Sequence, residues 1–170
     1  MRIRDATIAD ARAIVEVYIR SWQAAYRGLM PDDFLDSLSV EDREQEWRSW
    51  LASQPTRQWC LVAEDDGKVL GFVRFGPSRD EEAPEDAGEV YAIYVLPEAF
   101  GTGTGRELFA HANRILRERG FAAATLWVLE ANERARRFYE AAGWRLDGAI
   151  TTERIDCLRL PTVRHVSEPG

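Results

Sequence analysis

A run of glycines sets the strongest constraint on this chain. Gly101-Thr-Gly-Thr-Gly105 follows the apolar stretch Val90-Tyr-Ala-Ile-Tyr-Val-Leu96 and precedes a segment that ends at Gly120. The apolar stretch is rich in β-branched and aromatic residues and reads as a buried strand. From Arg106 onward, Leu108, Phe109, Ala112, Ile115 and Leu116 fall at helical spacing, and Gly120 suits the left-handed residue that closes many helices. The sequence therefore spells strand, glycine turn, helix. Glycines at alternate positions let the backbone turn tightly and present its amides, while the helix behind them begins with unpaired N–H groups and the positive end of its dipole. Such a turn is a natural seat for phosphate, or else an ordinary tight turn with glycines for geometry alone.

Two familiar phosphate motifs do not fit. A P-loop needs a Lys after its last glycine, and none follows Gly105. The dinucleotide fingerprint needs G-x-G-x-x-G, and here the last interval is one residue short. Neither nucleotide hydrolysis nor NAD binding is indicated.

Around this unit the chain alternates elements. Ile3 to Ala6 suits a short strand, Thr7-x-x-Asp10 has the form of a capping box, and Ala11, Ile14, Val15, Tyr18, Trp22 and Ala25 share one helical face as far as Gly28. Pro31 opens a short second helix through Leu38, and Ser39 opens a third that carries Trp47, Trp50 and Leu51 and ends before Pro55. Trp59 to Glu64 and Lys68 to Phe75 flank Asp65-Asp-Gly67 as a hairpin. The acidic stretch from Asp80 to Asp86 reads as a solvated loop. Ala123 to Leu129 is a further strand, Asn132 to Ala142 a helix closed by Gly143, and the tail offers strands at Trp144 to Ile150 and Ile155 to Leu160 before fraying from Ser167. This order gives the α/β class: a mixed α+β sheet covered by helices, with one β-α-β crossover at the glycine turn.

With 170 residues the chain fits a single domain, residues 1–170, able to bury its own core. Its 29 acidic against 22 basic residues, a net charge of −7, argue against nucleic acid as a partner. Cys60 and Cys157 lie in apolar runs and read as core thiols, and with His111 and His165 the only histidines no metal site is expected. The N-terminus lacks a signal-peptide core and no apolar run spans a membrane, so a cytoplasmic setting without membrane contact is expected. The oligomeric state is open, a homodimer included.

The segment Val95-Leu-Pro-Glu-Ala-Phe-Gly-Thr-Gly-Thr-Gly-Arg106 resembles the pyrophosphate-binding motif of the GNAT superfamily of N-acetyltransferases, Gln/Arg-x-x-Gly-x-Gly/Ala, with Gly103 and Gly105 at the small positions and Phe100 where Gln or Arg is usual. Asn132-Glu-Arg-Ala-Arg-Arg-Phe-Tyr-Glu-Ala-Ala-Gly-Trp144 resembles the family's N-x-x-A-x-x-F-Y-E-x-x-G-F segment. The resemblance runs from Met1 to about Leu160 and implies a central, mostly antiparallel sheet with a β-α-β core that binds acetyl-CoA as co-substrate.

It also implies roles. Gly101, Thr102, Gly103, Thr104, Gly105 and Arg106 would meet the pyrophosphate, the backbone of Ile93, Tyr94 and Val95 would run beside the pantetheine, and Asn132 would contact it unless it is only a helix N-cap. Tyr139 would bond the thioester sulfur and protonate the thiolate, the alternative being a core aromatic beside Phe138. Glu89 stands where several members carry a general base, or else is a solvated charge; Glu130 is a poorer rival. Trp22 and Tyr26 are candidate walls of the acceptor site, whereas Trp47 fits the helical packing better. The implied activity is direct transfer of an acetyl group to a primary amine of a small molecule or a peptide, the alternative being a CoA-binding module without catalysis.

Overall fold

The structure is a computed structural model and describes residues 1–53, 55–155 and 158–167. Seven strands form one sheet: β1 (Arg2–Asp5), β2 (Trp59–Asp65), β3 (Lys68–Pro77), β4 (Ala87–Val95), β5 (Ala123–Leu129), β6 (Arg145–Ile155) and β7 (Leu158–Val166), in the order β1-β2-β3-β4-β5-β7-β6. Every neighbouring pair is antiparallel except β4 and β5, which flank the crossover helix α4 (Thr104–Glu118) and run parallel. This is the mixed, mostly antiparallel sheet with a β-α-β unit that the motif order implied.

Local chemistry explains the connections. Between β2 and β3 the two turn residues Asp66 and Gly67 both have positive φ, 46° and 77°, which matches the twist of a two-residue hairpin. The Thr7 N–H donates to Asp10 Oδ2 at 2.7 Å in the expected capping box, just before α1 (Ala11–Tyr26). Helix α4 ends in a left-handed Gly120, φ 88°, with Gly120 N–H bonded to Arg117 O and Phe121 N–H to Leu116 O. Helix α5 (Glu133–Ala141) ends the same way: Gly143 N–H reaches Glu140 O and Trp144 N–H reaches Tyr139 O at 3.0 Å. That bond fixes the backbone of Tyr139.

The two faces of the sheet carry separate cores. Leu108, Phe109, Ala112 and Leu116 of α4 pack with Val73, Phe75, Val90 and Leu126 on one face. On the other, α1 and α3 (Val40–Ser53) cover Cys60, Val62, Phe72 and Tyr94. Trp22 and Tyr26 join Leu35 of the short α2 (Asp32–Asp36) in a third cluster beyond the end of β4. Trp47 sits among Trp50 and Phe72, as its helical packing suggested.

The tail differs from its expected layout. β6 runs on to Ile155 and β7 occupies Leu158–Val166, where strands ending at Ile150 and Leu160 were anticipated. Pro161 concealed the second strand, yet its carbonyl accepts from Glu130 N–H, so the chain passes through it as a strand between β5 and β6. Ser167 is not frayed: its N–H and hydroxyl both donate to Ala124 O. Cys157 lies outside the described residues. Nor is the acidic loop wholly solvated, because Asp80 accepts from Trp127 Nε1 at 3.0 Å and from Arg164 at 2.9 Å.

Candidate active site

The parallel pairing of β4 with β5 lasts only from Ala87 to Glu89, opposite Ala123 to Thr125. β4 then continues to Val95 and β5 to Leu129 as separate strands. The wedge between them opens into a cleft of about 560 Å³ whose walls are Val90 to Val95, Trp127 to Leu129, the C-terminal part of α1, the glycine turn and α5. Strand splaying at a parallel pair thus makes the site.

At one end lies the turn that dominates the sequence. Gly101 and Gly103 have φ of 75° and 93°, a region costing other residues on the order of 1–3 kcal/mol, and a Cβ at either would point into open space. The constraint here is conformational rather than steric. Gly103 caps α4, so the N–H groups of Thr104, Gly105 and Arg106 lack helical acceptors, and the first inward bond is Glu107 N–H to Gly103 O at 3.0 Å. The Thr104 side chain is buried, its Oγ1 2.9 Å from that of Thr102, which donates to Ala99 O. These threonines brace the turn; Thr102 borders the cleft and Thr104 does not. Phe100, at the position where Gln or Arg is usual, carries the guanidinium of Arg134 on its ring face, 3.3 Å from the centroid. Burial lowers the Arg134 pKa, as expected for a cation drawn into the cleft wall.

In the middle, Ile93, Tyr94 and Val95 line the cleft, and Ser21 Oγ donates to Val95 O at 2.6 Å. Asn132 does two jobs: its Oδ1 accepts from Ala135 N–H at 3.1 Å as a helix N-cap, and its Nδ2 donates to the Tyr26 hydroxyl at 3.1 Å. Tyr139 also borders the cleft, its ring packed against Phe109, Phe138 and His165. Burial pushes its phenol well above the ordinary tyrosine range, so it remains a proton donor. Phe138 is both core and wall.

Trp22 and Tyr26 meet edge to face at 4.9 Å on the far wall, and the Tyr18 ring lies tilted against Trp22 at 5.2 Å. Glu89 is placed differently. It is 1% exposed, it is absent from the cleft walls, and Arg79 holds both its oxygens: the guanidinium on Oε1 and the Arg79 backbone N–H on Oε2 at 2.7 Å. Glu130 is exposed and also outside the walls.

Four lining residues had no signal in the sequence. Tyr91 and Trp127 read there as core of their strands. Arg134 lay inside the Asn132–Trp144 motif, two residues past the cap, and only the rise of α5 beside the turn shows its direction. Glu153 sits in a polar edge strand, and it reaches the cleft because β7 inserts beside β5 and brings the β6 end across the α1 side. Among the described residues no cluster of three possible metal ligands occurs, and no helix is long and apolar enough to cross a membrane.

A family model described as "Acetyltransferase (GNAT) family" matches residues 15–144, which include both motifs and nearly every wall of the cleft. The chain belongs to this family. An uncharacterized N-acetyltransferase of Bacillus subtilis, YuaI, is 37% identical over 131 residues, covering 76% of this chain and 72% of that protein. Among solved structures, PaiA N-acetyltransferase from Thermoplasma acidophilum with coenzyme A superposes with a TM-score of 0.71 at 20% identity, covering 98% of each chain. YncA from Salmonella typhimurium with acetyl-CoA gives 0.74 at 23% identity, covering 100% of this chain and 94% of that one. As a GNAT member the protein is an acetyl-CoA-dependent acyltransferase, with acetyl-CoA as co-substrate.

Proposed function

We propose that this GNAT protein transfers the acetyl group to a primary amine of a small molecule or of a peptide or protein, by direct attack in a complex that holds both substrates. The observation that supports the reading is the single cleft joining the glycine turn at one end to Tyr139, Trp22 and Tyr26 at the other. Backbone amides of Gly101 to Arg106 take the pyrophosphate, with the α4 dipole behind them and Arg134 supplying the cation that Phe100 lacks. The pantetheine lies along Ile93 to Val95, and the second Nδ2 proton of Asn132 is free to meet it. No covalent enzyme intermediate is needed.

In this reading Tyr139 protonates the departing thiolate. Its raised pKa makes it a poorer acid than free tyrosine but guarantees the protonated form across the neutral range. Glu89, the base implied by the motif resemblance, has both oxygens bonded to Arg79, and this reading gives it no proton to carry. A cytoplasmic setting suits a chain whose buried Cys60 remains a thiol. The test is acetyl-CoA-dependent thiol release across polyamines, amino acids, aminoglycosides and peptide N-termini, with a no-acceptor control. Release with one acceptor class and none without it is expected. Binding of CoA without release on any amine would instead support a binding module.

A further inference from the structure

The cleft is electrically polarised along its length. Its two lining cations, Arg106 and Arg134, stand at the glycine turn together with the positive end of α4. Among the described residues that line it, Glu153 of β6 is the sole carboxylate. Its neighbour on the same strand face, Ile155, packs into the cluster of Tyr18, Tyr26 and Tyr94, so Glu153 stands opposite the aromatic wall of α1.

We infer that Glu153 binds the acceptor as its ammonium ion and removes the proton that blocks attack, which makes the acceptor a cationic primary amine. This rests on the acetyl-transfer reading and names its acceptor class. The groups that face Glu153 are the Tyr18 and Tyr26 phenols from α1 and the Arg79 guanidinium from the β3–β4 loop, with Arg154 next to it on β6 and Leu160 across on β7. Arg79 is committed to Glu89, and among the described residues no ion pair within 4 Å neutralises Glu153. The contrast with Glu89 is direct: one carboxylate is sealed by a guanidinium outside the cleft, the other is open within it. Partial desolvation raises the Glu153 pKa against the opposing pull of Arg79, the direction that strengthens a base.

The step balances. The ammonium gives one proton to Glu153, and the freed nitrogen lone pair forms the C–N bond at the thioester carbonyl. The tetrahedral intermediate breaks its C–S bond, the thiolate takes the Tyr139 proton, and the second nitrogen proton restores Tyr139. Glu153 passes its proton to solvent, so each turnover releases one proton, the amide and the CoA thiol.

Two measurements test this. In the first, kcat/KM for the best amine of the panel is followed from pH 6 to 10 in wild type, Glu153→Gln and Glu89→Gln. Glu153→Gln should lose about 10²–10⁴-fold at pH 7 and recover toward pH 10, where a free amine of pKa about 10.4 deprotonates unaided. Glu89→Gln should keep the wild-type profile shape. In the second, phenethylamine and 2-phenylethanol are titrated into the CoA complex at pH 7. Glu153→Gln should weaken the amine at least tenfold and leave the alcohol unchanged. A loss of rate equal at pH 7 and 10, a profile altered by Glu89→Gln and not by Glu153→Gln, or equal amine affinity in wild type and Glu153→Gln would each overturn the inference. Should wild type acetylate no amine, the transfer reading fails by itself, and the second titration still decides Glu153.

Discussion

Replacing Gly105 with Ala separates the two reasons a glycine can stand in the turn. Unlike Gly101 and Gly103, Gly105 has no positive φ, and it occupies the first turn of α4. A Cβ there would meet Phe138 at 3.5 Å and Val95 at 3.6 Å, ordinary contact distances. The fold alone therefore gains from alanine: reduced freedom of the unfolded chain and better helix propensity are worth about 0.5 kcal/mol, which at about 2–4 °C per kcal/mol for a chain of this size raises Tm by roughly 1–2 °C. In the proposed placement of the cofactor, the same methyl would stand between the phosphates and the amides of the turn. At CoA one hundred times the wild-type Kd, binding stabilises wild type by about 2.7 kcal/mol, or roughly 5–11 °C. A tenfold weaker Kd leaves about 1.4 kcal/mol, or roughly 3–6 °C. Thermal melts of both proteins with and without CoA thus predict a higher apo Tm and a smaller CoA shift for Gly105→Ala. A lower apo Tm would mean that glycine is needed for the fold itself, and an undiminished shift would mean that the phosphates do not approach here. The first result refutes the conformational half of the reasoning, and the second refutes the placement of the cofactor at this turn.

Tyr139→Phe should retain the CoA-induced Tm shift while lowering turnover by roughly 10²–10⁴-fold, measured by thiol release; lost CoA binding would make the phenol a structural group. Arg134→Met keeps the stem over Phe100 and removes the charge, so CoA affinity should fall about tenfold, and the remaining affinity should depend less on salt than that of wild type, as calorimetry at two ionic strengths would show. His165 is fully buried, and desolvation lowers its pKa against the pull of Glu140 at 3.8 Å, so the folded form stays neutral where the unfolded chain takes a proton. Unfolded protein then binds more protons below about pH 6.5, and stability must fall as pH drops through that value; denaturant melts of His165→Leu should show a flatter dependence between pH 7 and 5.

The legible parts of the fold were those whose chemistry is local. Gly120 and Gly143 close helices through bonds to residues three and five positions back, and Asp66-Gly67 makes a two-residue hairpin. Each can be read from a handful of neighbouring letters. The central strand and its glycine turn were equally clear, because a crossover helix leaves both a break in hydrophobic period and a run of small residues. The tail was not clear. β6 is an exposed edge strand with little hydrophobic alternation, and β7 contains Pro161, so both lack the pattern by which strands are recognised.

The same distinction governs the site. The expected cofactor residues of the β4-turn-α4 unit, together with Asn132 and Tyr139, all border the cleft or brace it, since one motif fixes each group's distance from the next. Glu89 illustrates where that reasoning stops. Its position at the start of β4 is correct, yet the side chain's fate depends on Arg79, ten residues upstream, which folds over the Tyr91 ring at 4.4 Å and caps the carboxylate. Glu153 is the converse: nothing around it in sequence marks chemistry, and its place follows from the insertion of β7 between β5 and β6. A cleft built by splaying β4 from β5 needs one wall from whatever packs beyond β5, and here that wall comes from the tail hairpin. The proposed cofactor half of the site is thus written in contiguous motifs, whereas the proposed acceptor half is written in topology, which is why the sequence names the acetyl donor far more readily than the acceptor.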